Sequence, residues 1–519
     1  MLFNSSEFIF GFFPVTVLLF FWVARFSHKL AASWLTAASI FFYGWWNPAY
    51  VLLLVASVAF NYACGFSLAR LVTTGNKHTA KMVLAIAVAS DLALLGYYKY
   101  ANFFLHTWDV LAGTNFNVEN IILPLGISFF TFTQIAFLVD AYRGIAKEYS
   151  PIHYGLFVTY FPHLIAGPVL HHKEMMPQFQ EKRTYHVNWE DVSVGVTIFF
   201  IGLFKKVVIA DGIAVYATPL FEGAIRPDIF AAWGGALAYT FQLYFDFSGY
   251  SDMAIGLSRV IGVKLPLNFD SPYKAVNIIE FWRRWHMTLS RFLRDYLYFT
   301  LGGNRKGPVR RYLNLLITML LGGLWHGAGW TFIAWGGLHG GYLMVNHFWR
   351  SVCTRLGQDV ERSTRAGRTA ARLLTFVAVV VGWVFFRADS FRDALTILSG
   401  MIGLNGVSLP AAIGMRLGRL GNMLQEWGVE FPLGGGSHFV LQYSWILVLL
   451  PMVWGSPNTQ EILARYKPGL DYRCRALPGE PASSVMWHPT VGWAAIIALV
   501  TVAGLLSLTR VSAFLYYQF

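Results

Sequence analysis

Apolar runs long enough to cross a bilayer recur along the whole chain, and this recurrence limits the possible folds more than any other feature. Hydrophobic residues make up 56% of the 519 residues, whereas charged residues make up only 13%. That charged fraction is about half of the roughly 25% that soluble domains carry. We therefore predict an all-α polytopic membrane protein with about eleven transmembrane helices and additional re-entrant or amphipathic helices.

The positions of the basic residues orient these helices. Arg25 and Lys29 follow the first apolar run, Phe8–Ala24, and Lys77 and Lys81 follow the third, whereas the turn between the second and third runs is uncharged. Because cytoplasmic loops are enriched in lysine and arginine, we predict that the basic loops are cytoplasmic and that the N-terminus lies outside. The first run has no cationic region before it and no clear cleavage site, so we expect a retained span.

Two apolar runs contain residues that interrupt helices. Pro124 and Gly126 lie near the start of Ile121–Tyr142, and Pro162 lies inside Tyr154–Leu170. Non-helical backbone at membrane depth is tolerated only where protein buries it or where it lines a wet cavity. We predict a broken start for the first run and a broken or re-entrant segment for the second.

Polar residues within the apolar runs leave alternatives open. Asp91, inside the fourth run, is either functional or paired with a polar neighbour. Asp246 and Asp252 lie in the polar run Phe245–Tyr273, which either lines a polar channel or caps a helix end. Ile278–Phe299 has apolar residues three and four positions apart with arginines between them, which predicts an amphipathic helix at the interface or within the protein.

Two histidines lie in unusual surroundings for an ionisable residue. His326 lies in the apolar stretch Leu313–Trp335, and His286 ends the motif FWRRWH, Phe281–His286. Because an ionisable side chain in hydrocarbon costs free energy, it indicates a functional site by default. We predict that both histidines belong to a reaction centre inside the membrane. The simpler alternative for His326 is a hydrogen bond across helices; His163, His171, His172 and His339 are interpreted as structural.

Acyl transfer to a hydroxyl is a reaction that these residues suit. It needs a base that removes the hydroxyl proton, and neutral imidazole is the usual base. A membrane site also excludes water, which protects an activated acyl group from hydrolysis. Arg283 and Arg284, flanked by Trp282 and Trp285, are predicted to hold the phosphates of an anionic donor such as coenzyme A or a phosphopantetheine arm. The alternative is that these arginines hold lipid phosphate.

Other classes of function are not predicted. The net charge of +13 is assigned to cytoplasmic loops facing anionic lipid, and no separate basic module for nucleic acid is present. Cys64, Cys353 and Cys474 are widely separated in the sequence, so neither a metal site nor a disulfide framework is expected. The chain contains no P-loop motif, which argues against ATP-driven work.

The chain resembles the membrane-bound O-acyltransferase superfamily, and within it the bacterial alginate O-acetyltransferase type. The resemblance depends on the order and spacing of motifs that are individually weak: FFYGWW (41–46), LPLGISFFTFTQIAFLVDAYRG (123–144), YFPHLIAGPVL (160–170), YFDFSGYSDMAIGLSRVIG (244–262), LNFDSPY (267–273), FWRRWH (281–286), LGGLWHGAGW (321–330) and GWVFFRA (382–388).

This resemblance implies a ring of tilted helices around a funnel through the membrane. It implies that His326 is the catalytic histidine, at the narrowest point, and that His286 is a second functional histidine. The implied donor is cytoplasmic acetyl-CoA, with no cofactor bound, and the acetyl group is passed on through a periplasmic SGNH-like partner of a polysaccharide-secretion complex. The implied polymer is alginate; related members acetylate cellulose or transfer D-alanine to teichoic acid.

The predicted organisation is one integral-membrane domain over residues 1–519 in the bacterial inner membrane. It has N-terminal spans in 1–115, a catalytic core in 116–390, and a C-terminal part in 391–519 with a glycine-rich loop, Gly403–Ser437, and the last two spans. The predicted function is O-acetyl transfer to an exopolysaccharide. Three alternatives stay open, namely a transporter of a glycan or lipid-linked precursor, D-alanyl transfer to teichoic acid, and a structural anchor for a secretion complex.

Overall fold

The computed structural model describes residues 1–115, 121–223, 226–358, 364–470, 472, 485–509 and 515. This part of the chain is built from helices, with two short parallel strands, β1 (Val407–Ser408) and β2 (Val429–Glu430). The prediction of an all-α polytopic protein is confirmed. Residues 116–120, where the N-terminal spans were predicted to end, and Cys474 lie outside the described part.

The α-helices of the N-terminal part follow one another through short turns. They are α1 (Phe13–Ala24), α2 (His28–Gly44), α3 (Ala49–Thr73), α4 (Lys77–Leu95) and α5 (Ala101–Ala112). Two π-helical segments interrupt this regular geometry, because Glu7–Phe12 precedes α1 and Gly96–Tyr100 joins α4 to α5.

The central helices surround the predicted catalytic residues. They are α6 (Ile127–Tyr142), α7 (Pro151–Thr159), α8 (Phe161–Leu164), α9 (His172–Gln180), α10 (Trp189–Phe204), α11 (Asp211–Glu222), α12 (Ile229–Val260), α13 (Ile278–Trp282), α14 (Met287–Phe292), α15 (Gly307–His326), α16 (Trp330–Arg355) and α17 (Arg365–Arg387). Further π-helical segments are Lys205–Ala210 and Leu293–Tyr298, and 3₁₀ turns are Lys182–Tyr185 and Pro272–Lys274.

The C-terminal part contains more regular structure than predicted. Its helices are α18 (Phe391–Met401), α19 (Ala411–Leu417), α20 (Arg419–Glu426), α21 (Gly436–Gly455), α22 (Thr459–Ile462) and α23 (Val491–Leu506), with 3₁₀ turns Ala464–Tyr466 and Ser507–Thr509. The prediction that Gly403–Ser437 is a loop is therefore wrong, since α19, α20 and both strands lie within it. The glycines of this segment lie between short helices and strands, and each of these has few residues to bury.

Six described helical stretches are long and apolar enough to cross a membrane: Glu7–Ala24, Ala49–Thr73, Lys77–Ala112, Trp189–Glu222, Arg365–Arg387 and Gly436–Gly455. The 32-residue helix α12 is more polar than these six stretches. It can carry polar side chains because most of its side chains are buried in the protein interior and do not face lipid. Its aspartates Asp246 and Asp252 are paired there with cations, since Lys205 contacts Asp252 at 2.6 Å and Lys206 contacts Asp246. The alternative that these aspartates cap a helix end is wrong, because α12 continues to Val260.

The predicted breaks in the apolar runs are confirmed. Helix α6 begins only at Ile127, after Gly126 in a left-handed conformation with φ 70°. Tyr160, with ψ 109°, separates α7 from α8. Asp91 is paired, because the Asn61 side-chain amide donates a hydrogen bond to it at 2.8 Å.

Candidate active site

The two predicted histidines come together inside the protein. His286 and His326 are 40 positions apart in the sequence, yet their ring centroids are 6.3 Å apart. Their exposed fractions are 0% and 4%. The fold thus forms a single buried pair of imidazoles from two motifs that the sequence keeps apart.

His326 is positioned by the hairpin of α15 and α16. It is the last residue of α15, which ends because Gly327 adopts an extended conformation. The two helices pack backbone to backbone, since a Cβ added at Gly323 would lie 2.2 Å from the Phe332 carbonyl oxygen and one at Gly336 would lie 2.3 Å from the Met319 carbonyl oxygen. This close approach depends on glycine and fixes where the helix end, and therefore the imidazole, lies.

His286 is held in a backbone conformation that most residues avoid. Its φ of 41° and ψ of 54° are left-handed, which costs a residue with a side chain about 1–2 kcal/mol. Asn268 stabilises the turn after it, because its carbonyl accepts from the Met287 N–H at 2.9 Å and its side-chain oxygen accepts from the Thr288 hydroxyl at 2.6 Å. The prediction of one continuous helix over Ile278–Phe299 is wrong, since α13 and α14 are separated at this turn.

Aromatic side chains pack closely around both imidazoles. Trp335 and Phe386 meet His326 edge-on, with ring centroids 5.1 and 5.2 Å away. Phe247 meets His286 at 4.7 Å, and Trp325 lies 6.1 Å from His286. These rings exclude bulk water from the site, which is the environment that an activated acyl group needs.

The two arginines predicted to bind the donor have different surroundings. Arg284 is buried, and its guanidinium donates to the Glu280 carboxylate at 2.7 Å and to the Asp270 carbonyl at 3.1 Å. Arg283 is exposed, and its guanidinium has no ion-pair partner among the described residues. Donor steering stays a prediction for both, but only Arg283 has a free cationic group.

The two neighbouring tryptophans are part of the aromatic core. Trp282 donates its indole N–H to Nδ1 of His339 at 3.2 Å, in keeping with a structural role for that histidine. Trp285 stacks on Phe281 with ring centroids 5.7 Å apart. Their predicted part in holding the donor stays a prediction, and the contact of Trp282 with His339 connects the FWRRWH motif to α16.

A cavity of about 140 Å³ reaches His326. The broken start of α6 lines it, as expected for non-helical backbone at membrane depth. Trp46, in the uncharged turn between α2 and α3, also lines it, and this turn lies on the predicted outer side. The lining residues are Trp46, Lys99, Leu123, Pro124, Leu125, Gly126, Ile127, Ser128, Phe129, Ile165, Ala166, Trp325 and His326.

Lys99 is a site residue that the sequence reasoning missed. Its ammonium group lies 2.6 Å from the Trp325 carbonyl oxygen and 3.2 Å from that of His326. The signal was present, because a lysine inside an apolar helix is a functional hypothesis by default. The fourth apolar run, predicted as Val83–Tyr98, ended one residue before Lys99, whereas the helical stretch continues to Ala112.

Comparisons with known proteins show what this chain is similar to. Residues 127–381 match the model of the membrane-bound O-acyltransferase family. A peptidoglycan O-acetyltransferase of Helicobacter pylori is 44% identical over 436 residues, which cover 79% of this chain and 81% of that protein. A probable alginate O-acetylase of Pseudomonas aeruginosa is 43% identical over 408 residues, covering 77% and 75%.

The chain belongs to the membrane-bound O-acyltransferase family. It is therefore an acyltransferase of the membrane, as the sequence predicted, and its relatives' names support O-acetyl transfer as the reaction. A more distant relative, a teichoic acid D-alanyltransferase of Bacillus subtilis, is 29% identical over 285 residues, or 53% of this chain and 71% of that protein. The family match includes His286 and His326, whereas Lys99 lies before it.

Proposed function

We propose that this acyltransferase moves an acetyl group from cytoplasmic acetyl-CoA to a hydroxyl group of an extracytoplasmic polysaccharide. The observation that carries the proposal is the buried pair of imidazoles with a cavity reaching His326. The two polymers favoured by the names of the relatives are alginate and peptidoglycan, at 43% and 44% identity. The inner membrane is the location that this reaction requires, because it separates the donor from the polymer.

In the proposed reaction His326 acts as general base. Its neutral imidazole takes the proton from the acceptor hydroxyl while the oxygen attacks the thioester carbonyl. The tetrahedral intermediate then collapses, the carbon–sulfur bond breaks, and the thiolate takes the proton back from the imidazolium. The products are an acetyl ester and a free thiol.

His286 is proposed to stabilise the negative charge that develops on the thioester oxygen. A hydrogen-bond donor that is held rigidly in a dry site stabilises such charge more strongly than the same group does in water. The left-handed turn at His286 and its full burial support this role, because both hold the imidazole in one place.

Donor and acceptor are proposed to approach from opposite sides. Exposed Arg283 is suited to the phosphates of coenzyme A. The cavity lined by Trp46 is suited to the acceptor hydroxyl, delivered either by the polymer or by a serine of a periplasmic SGNH-like partner. The second opening of the implied funnel, on the cytoplasmic side, stays a prediction.

The proposal is tested by reconstituting the protein in liposomes with radiolabelled acetyl-CoA. His326→Ala should lower acetyl transfer by about 100-fold or more, the contribution of a general base, while His186→Ala, at an exposed histidine outside the site, should leave it unchanged. A His326→Ala protein that folds and transfers acetyl at the normal rate would contradict the proposal.

The same preparation separates the enzyme from the alternatives. A transporter would move labelled glycan without consuming acetyl-CoA, and an anchor would tolerate substitution of both histidines. The polymer is identified by adding either alginate fragments or peptidoglycan fragments. Each polymer is supplied together with an extract of the periplasm and membranes of the bacterium that makes it. Ester-linked label should accumulate in only one of the two polymers.

A further inference from the structure

The end of α15 is held by two consecutive residues of another helix. The Lys99 ammonium contacts the carbonyl oxygens of Trp325 and His326, at 2.6 and 3.2 Å, and the Ser128 hydroxyl at 3.4 Å. The Tyr100 hydroxyl donates to the Leu324 carbonyl at 2.9 Å. These contacts connect the N-terminal helices to the backbone of His326 itself.

These contacts complete the hydrogen bonding of the helix end. The last four carbonyls of an α-helix have no partner within the helix, and leaving them unpaired in a membrane interior is costly. The first of the four in α15, at Gly323, accepts from the Gly327 N–H at 3.4 Å. Lys99 and Tyr100 supply donors to the other three, and a cation there also stabilises the negative end of the helix dipole.

The geometry leaves Lys99 little scope for direct chemistry. A lysine ammonium has three N–H donors, and three oxygens surround this one. The π-helical segment Gly96–Tyr100 has more residues per turn than an α-helix. As a result, Lys99 and Tyr100 both face α15. π-Helical turns of this kind are frequent at functional sites.

We propose that Lys99 is a positioning residue for acetyl transfer. Its ammonium group fixes the backbone of Trp325 and His326, and through it the direction in which the His326 imidazole points into the cavity. Tyr100 secures the same helix end at one neighbouring carbonyl. The inference rests on the proposed role of His326 as the base.

The test compares purified variants in the liposome assay. Lys99→Met, which keeps an unbranched apolar stem but removes the ammonium group, should lower kcat by about 100-fold, as expected for a misplaced catalytic group, with KM for acetyl-CoA within about twofold of wild type. Tyr100→Phe should lower kcat less, because the ammonium contacts remain. Wild-type kcat in folded Lys99→Met would overturn the proposal.

Chemical rescue distinguishes positioning from a general loss of structure. Lys99→Ala opens space beside the cavity, so propylammonium should restore kcat, whereas uncharged propanol should not. A loss of kcat that propylammonium does not restore indicates a structural defect and overturns the proposal. Where these variants do not fold, Lys99→Gln takes their place. Its uncharged side chain is one atom shorter and retains two N–H donors, so kcat should fall by less than about 100-fold yet stay below that of wild type, and a wild-type kcat would overturn the proposal.

The same assay separates this inference from the proposed function. If His326→Ala is active, the proposed function fails whatever Lys99 does. If His326→Ala is inactive while folded Lys99→Met is fully active, only the positioning role fails.

Discussion

Among single residues, His286 combines full burial with a left-handed backbone. A glycine would adopt that conformation without strain, so the imidazole is retained at the expense of stability. Strain of this kind persists where surrounding contacts determine the conformation, and here Asn268 supplies them. The side chain is therefore expected to be needed for the reaction and not for folding.

Substitution of His286 by glycine and by alanine tests this expectation. Both remove the ring, but glycine relieves the strain at φ 41°, so His286→Gly should be more stable than His286→Ala by about 1 kcal/mol. Both should lower acetyl transfer by about 100-fold. The measurements are thermal denaturation in detergent and turnover of acetyl-CoA, and equal stability with normal turnover would contradict the interpretation.

Arg283 and Arg284 form a matched pair for a second prediction. Arg283→Ala should raise KM for acetyl-CoA by about tenfold, the value of one charge-assisted contact, with normal thermal stability. Arg284→Ala should lower thermal stability, because Glu280 and the Asp270 carbonyl lose their partner. If Arg283→Ala leaves KM unchanged, the donor phosphates bind elsewhere.

The sequence was sufficient to predict that His286 and His326 belong to one site, but it did not predict which residues surround them. Both histidines belong to motifs, WHG and FWRRWH, whose aromatic neighbours indicate an intramembrane site. Lys99 was missed because the predicted run ended at Tyr98, and its contacts could not be predicted because they are with backbone carbonyls more than 220 positions away. Arg284 is engaged by Glu280, four positions earlier in the sequence, and by the Asp270 carbonyl, which only the fold brings close.

Among the elements, the hairpin of α15 and α16 determines the most about the site. Its helices touch at Gly323 and Gly336, so a single added methyl group must push them apart. The glycines in the sequence indicated that helices pack closely here. They did not indicate which glycine of one helix faces which residue of the other. It also indicated one amphipathic helix at Ile278–Phe299, because the periodicity of α13 and α14 continues across a turn that Asn268 stabilises from outside.

Gly323→Ala tests the hairpin. The new Cβ would lie 2.2 Å from the Phe332 carbonyl oxygen, and overpacking of this kind costs about 1–3 kcal/mol. Its control is Gly341→Ala in α16, where an added Cβ meets nothing within 4 Å and helix propensity favours alanine by about 1 kcal/mol. Thermal inactivation should be faster for the first variant alone; equal rates would show that the hairpin relaxes without cost.

On the scale of the whole molecule, the basic loops divide the chain into two faces. Helix α17 begins at Arg365 in a basic stretch, so the segment that follows it, with α18 to α20 and both strands, lies on the predicted outer face with Trp46. That the chain is a helical membrane protein followed from composition alone. Which helices are central did not, because α12 conceals its polar groups in ion pairs with Lys205 and Lys206.

Cysteine labelling in spheroplasts tests this division. In a variant whose three cysteines are replaced by serine, Leu433→Cys, at a position 94% exposed, should react with a membrane-impermeant maleimide. Thr74→Cys, in the basic turn between α3 and α4, should react only after permeabilisation. The reverse pattern would invert the orientation and with it the assignment of donor and acceptor sides.

The π-helical segments have a consequence for how this chain tolerates changes in length. Three of them, Gly96–Tyr100, Lys205–Ala210 and Leu293–Tyr298, carry polar side chains that contact distant helices. Each π turn accommodates one residue more than an α turn, so deleting that residue would restore regular geometry and rotate the adjoining faces by about 100°. Single-residue deletions in these stretches would keep the helices intact while turning their polar groups toward lipid, so we expect insertions of a whole turn to be tolerated better than the loss of one residue.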